Sequence, residues 1–110
     1  MPVTRSYSRH ALEALKLLGR SIHAARIERR MTSVDLAERV GISRVSLYRI
    51  ENGEPRSSIG PVFEAAAIVG VPLFEVEPSC LAGDLARTEE KLAHLPKKVR
   101  PARGAVDHEF

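Results

Sequence analysis

Arg44 and Arg49 stand in the segment SRVSLYRIENGEPR, beside the hydroxyls of Ser43, Ser46 and Tyr48, with Asn52 and a further arginine, Arg56, just beyond. A guanidinium is a rigid planar fork of N–H donors that grips paired acceptors, on a base edge or a phosphate, through two parallel hydrogen bonds. The hydroxyls and the amide stand in the same short stretch. No comparable grouping supports catalysis. His10, His23, His94 and His108 are scattered, and none stands at ligand spacing from Cys80 or from a carboxylate pair, whereas a zinc site needs several convergent ligands. Nucleophile elbow, Walker loop and dinucleotide fingerprint are missing from the sequence. The expectation is a binding protein without metal or cofactor, not an enzyme.

Such side chains need helices to fix their spacing. Thr32 opens one: its hydroxyl can cap free amides, and Asp35, three residues on, can answer as in a capping box. Leu36, Ala37 and Val40 recur at helical spacing and give that helix one apolar face. Gly41 can stop it in a left-handed C-terminal cap. Ile42 then reads as a buried pin and Ser43 as a second N-cap. Arg44 to Asn52 form the next helix, with Val45, Leu47 and Ile50 as apolar positions and Gly53 as terminator. Two amphipathic helices joined by so tight a turn, with arginines on the free face of the second, have the geometry that enters a DNA major groove. The same outline also describes ordinary helical hairpins.

Ala37, Gly41, Ile42, Ser43, Leu47, Ile50, Glu51, Asn52 and Gly53, in that order, resemble the Cro/cI-type (Xre) helix-turn-helix family, whose pattern runs L-A-x-x-x-G-[IV]-S-x-x-x-[IL]-x-x-I-E-x-G. The resemblance continues through LGRSIHAARIERRMT upstream and SSIGPVFEAAAIVGVPLF downstream. It implies a five-helix domain whose third helix enters the major groove with its N-terminal side chains at base edges. Carried onto matching positions, Arg44, Val45 and Arg49 become the base readers, arginine for the two acceptors of guanine and valine for a thymine methyl. Ser43, Ser46 and Tyr48 become candidates for phosphate or edge contacts, and Asn52 and Arg56 fall where the following loop touches the backbone. The family often has a glutamine after the N-cap of the second helix, where this chain has Ser33. A shorter hydroxyl or the helix-end amide would serve there. The resemblance also implies an ion pair between Arg26 and Glu51 that fixes the recognition helix against the first helix. A phosphate contact is the other reading of Arg26, but a glutamate facing DNA would be repelled unless neutralised.

The fold class expected is all-α: a five-helix Cro/cI-type domain with an N-terminal helical extension, an extra C-terminal helix and a disordered tail. Four segments follow: an arm and helical extension at 1–17, the helix-turn-helix domain at 18–76, an amphipathic helix at 77–95, and a basic then acidic tail at 96–110. Ser8 can cap a first helix running to Arg30, with Leu12, Leu15, Leu18, Ile22 and Ala25 as one buried stripe and Gly19 as a point of division. A fourth helix carries Pro61 near its first turn, holds Val62, Phe63, Ala66 and Val69, and ends at Gly70. Leu73 and Phe74 would then close the core. The net charge is only +3, but it is segregated. Arg5, Arg9, Lys16, Arg20, Arg26, Arg29 and Arg30 outweigh Glu13 and Glu28 in residues 1–30, whereas residues 57–95 are mainly acidic. A phosphate-facing surface from the first helices and the recognition helix fits that distribution. No apolar run approaches a membrane span and no signal-peptide core is present. With a single cysteine, this suits a reducing cytoplasm, and the family resemblance adds the expectation of a bacterial-type, nucleoid-associated protein.

Leu81, Leu85, Thr88, Leu92 and Leu95 are spaced four, three, four and three apart, a heptad rhythm. So short a helix is marginal alone and must pack on something: its own domain, a second copy, or a partner's groove. Residues 96–110 have little apolar material besides Val99, Val106 and Phe110, so either a solvated tail or a segment that orders on a partner is expected. The run LPKKVR with its acidic end, and IGPVFEAAAIVGVPLF, resemble HipB-like antitoxins. That resemblance implies a HipA-type kinase toxin as partner, with Phe110 as a terminal anchor. A single helix-turn-helix reads few base pairs, so a homodimer on an inverted-repeat operator is expected, acting as a repressor. A stand-alone regulator and a helical adaptor without DNA remain the other readings.

Overall fold

The computed structural model describes residues 6–74 and 80–99, and within them every regular element is helical. The elements are α1 (Arg9–Glu28), α2 (Ser33–Val40), α3 (Arg44–Glu51), α4 (Ile59–Val69) and α5 (Leu81–Ala93). The chain divides into two compact units, Met1–Glu75 with the first four helices and Val76–Phe110 with α5. The all-α class holds, and the fifth helix is the C-terminal one.

Hydroxyl caps start the first three helices. The side-chain oxygens of Ser8, Thr32 and Ser43 accept from the amides of Ala11, Asp35 and Ser46 at 3.0–3.1 Å. Each satisfies one of the donors that a helix N-terminus leaves free. Asp35 does not complete the reciprocal box: its carboxylate accepts from Arg39 Nε at 3.1 Å. The helix ends share a second device. The amides of Met31, Ile42, Glu54 and Val71 reach back five residues to the carbonyls of Arg26, Ala37, Arg49 and Ala66, and the preceding residue is left-handed in every case. This is the Schellman closure. Three of those residues are glycines; the fourth is Arg30, with φ 56°.

Gly19 does not divide α1, which runs unbroken. A Cβ at Gly19 would run into the Ile50 carbonyl and come within 2.9 Å of the Gly53 amide. Here glycine allows close approach of α1 to the end of α3. The core consists of Ile22 from α1, Leu36 and Ala37 from α2, Leu47 and Ile50 from α3, and Val62, Ala65, Ala66 and Val69 from α4. Leu18, Ala25, Met31, Val40, Ile42, Phe63, Ile68, Val71 and Leu73 pack around it.

Three expectations about burial are corrected. Leu12 is exposed, because the N-terminal turns of α1 contribute no buried residue. Val45, placed among the apolar positions of its helix, is 59% exposed and faces away from the core. Phe74 does not close the core either. It is exposed, left-handed at φ 61°, and meets Phe63 edge-on at 6.5 Å between ring centroids, while Leu73 packs inward.

In the second unit, α5 has no buried residue; Leu85, Leu92 and Leu95 are all exposed. The tail beyond residue 99, with Phe110, lies outside the described residues.

Candidate nucleic-acid interface

Helix α3 is a two-turn rod whose register fixes what it can present. Leu47, Ile50 and Glu51 are buried, and at about 100° per residue their common direction turns Val45, Tyr48, Arg49 and Asn52 away from the core. Arg44, Val45 and Tyr48 are exposed along one side, where they border a groove shared with Ser33, the first residue of α2. Ser46 and Arg49 lie on the other side. They line a separate cleft with Arg56, Ser57, Ser58 and Pro61, between α3 and the start of α4. The proposed contacts therefore fall into two adjoining sets rather than one cluster.

Several of these groups have local roles as well. Ser43 caps α3 and its hydroxyl donates to Ser46 Oγ at 3.1 Å. Asn52 Nδ2 donates to the Tyr48 carbonyl at 2.8 Å, closing the helix end. Arg56 Nε donates to Glu54 at 3.2 Å on the surface, a pair worth little to stability. In the α3–α4 cleft the Ser57 hydroxyl is buried with no hydrogen-bond partner.

The structure brings Arg26 and Glu51 together. Arg26 Nε and Nη2 donate to the two carboxylate oxygens at 2.7 and 3.1 Å, a bidentate pair, and Nη1 donates to the Met31 carbonyl at 3.0 Å. His23 completes the cluster: its Nδ1 lies 2.7 Å from Glu51 Oε1. A carboxylate at neutral pH only accepts, so Nδ1 carries the proton and donates. Arg20 Nη1 donates to the Glu51 backbone carbonyl at 3.1 Å. Burial by itself raises the pKa of Glu51. The hydrogen bonds from Arg26 and His23, with their charge, outweigh that and hold it below the ordinary 4.5. These contacts clamp the C-terminal end of α3 onto α1. Sequence reasoning missed His23 and Arg20. The available signal was spacing: His23 precedes Arg26 by three residues and so shares its helix face.

The profile of the helix-turn-helix family matches residues 22–76, half of the chain. The chain belongs to that family and is a Cro/cI-type helix-turn-helix protein. It is a DNA-binding transcriptional regulator of a family that is regulatory rather than enzymatic. No curated protein and no solved structure matches it significantly. Among the described residues no helix is long and apolar enough to cross a membrane, and no three metal-binding side chains converge.

Proposed function

We propose that this regulator is a sequence-specific repressor that binds an inverted-repeat operator as a homodimer in the cytoplasm. It represses its own operon as the antitoxin partner of a HipA-type kinase toxin. The observation that supports DNA reading most directly is the free face of α3. Arg44, Val45 and Tyr48 stand exposed there, on a helix whose C-terminal end is locked to α1 through Glu51. In this reading Arg44, Val45 and Arg49 read base edges. Ser43, Ser46 and Tyr48 meet phosphates or base edges, and Ser33, Asn52 and Arg56 position the helix on the backbone. Domain roles follow the segments 1–17, 18–76, 77–95 and 96–110. The stripe Leu81, Leu85, Leu92 and Leu95 holds the dimer or a partner, and Phe110 anchors the toxin.

The toxin partnership is supported by the resemblance of LPKKVR and IGPVFEAAAIVGVPLF to HipB-like proteins. It is tested by co-purifying the full chain, and a chain lacking residues 97–110, with the product of the adjacent gene. Recovery with the full chain and loss with the truncated one is the expected result. Equal recovery removes the tail from the interface, and no recovery leaves a stand-alone Xre-type regulator. Deletion should weaken operator binding only modestly, through the loss of Lys97, Lys98, Arg100 and Arg103.

A further inference from the structure

Helix α5 carries a leucine stripe with nothing buried on it: Leu85 is 61% and Leu92 56% exposed. Its flanking charges carry orientation information. In a two-stranded coil the residues beside the apolar seam decide which way the strands run. Here those are Ala82 and Glu89 along one edge and Asp84 and Lys91 along the other. In a parallel pair, opposite edges meet and Asp84 of each copy faces Glu89 of the other, which repels. In an antiparallel pair like edges meet. With Leu81 against Leu92 of the second copy and Leu85 against Thr88, Asp84 of each copy faces Lys91 of the other, and Glu89 faces uncharged Ala82. Sliding that arrangement by one heptad sets Lys91 against Lys91 and Glu89 against Glu89, so one register is favoured.

We propose that α5 docks on α5 of a second copy in antiparallel orientation, in this register. The inference rests on the dimeric reading above and adds which surface pairs and how. The Asp84 carboxylate already takes a hydrogen bond from Arg87 on its own helix. Lys91 makes no side-chain ion pair among the described residues.

The test is sedimentation of the full chain at low salt, with helicity checked by circular dichroism. Lys91→Glu should weaken dimerisation on the order of tenfold. Asp84→Lys should do the same, and the double exchange D84K/K91E should restore it. Tighter dimers with Asp84→Lys and none of this effect with Lys91→Glu would show a parallel pair and overturn the proposal. Dimers indifferent to both, or a monomeric wild type, would also overturn it. Operator binding, measured on the same proteins, separates the two failures: intact binding with charge-indifferent dimers sinks only the α5 pairing, whereas absent binding sinks the repressor reading itself.

Discussion

Glu51, with a side chain only 6% exposed, is held by Arg26, whose own side chain is 11% exposed. Breaking a buried pair by removing one partner leaves an uncompensated charge. Arg26→Ala should therefore cost about 3–5 kcal/mol in denaturant unfolding. The pH dependence follows from the lowered pKa of Glu51. The folded state favours the ionised carboxylate, so its contribution is complete above the unfolded value near 4.5 and lost as pH falls through the lower folded value. Stability of the wild type should decline over that acid range, and a Glu51→Gln chain should decline less steeply there. The outward residues carry a different prediction. Arg49→Ala should cost about 1–3 kcal/mol on the cognate operator and little on random DNA, as expected for a base contact. Arg56→Ala should weaken both sequences and reduce the salt dependence by about one ion. Equal losses for Arg49→Ala on both sequences would reassign it to the phosphates. Along the sequence Arg26 and Glu51 are 25 residues apart, and only the family resemblance connects them. For His23 the one local signal is its three-residue spacing from Arg26, which puts both on one helix face.

Helix starts were legible because Ser8, Thr32 and Ser43 act on amides within three residues of themselves. Such caps are local chemistry, and so are the glycine stops at 41, 53 and 70. The end of α1 was harder to place, since an arginine fills the left-handed position where its three counterparts have glycine. Crowding between the Cβ and the following carbonyl disfavours that conformation in any L-residue. Arg30→Gly should therefore raise unfolding stability by about 1 kcal/mol, with unchanged helicity. A loss of stability would mean that the Arg30 side chain contributes packing or charge that outweighs the strain. Leu12 and Phe74 were misplaced for a different reason. A periodic apolar stripe tells which face of a helix seeks cover but not how far the neighbouring elements extend to supply it. Gly19 was misread because a glycine marks either a break or a close approach, and only the position of α3 decides between them.

Across the whole molecule, charge segregation along the sequence did not translate simply into a phosphate-facing surface. Arg20 and Arg26 turn inward to Glu51, and Arg9 pairs with Glu13 on the surface of α1. Lys16, Arg29 and Arg30 of the basic N-terminal stretch make no ion pair among the described residues. In the proposed reading the groups that meet DNA lie on α3 and its flanks, with Arg44 on one side and Arg49 and Arg56 on the other. In that reading so small a face works as two copies, and a two-fold symmetric pair would call for the same symmetry in the site. The direct measurement is selection of bound sequences from a random duplex library, followed by footprinting on the winner. The account predicts an inverted repeat with half-sites centred about one helical turn, ~10 base pairs, or a multiple of it apart, and loss of that preference in an Arg44→Ala, Arg49→Ala chain. Binding with no sequence preference, or an unaltered preference after both substitutions, would contradict the claim that α3 reads the operator.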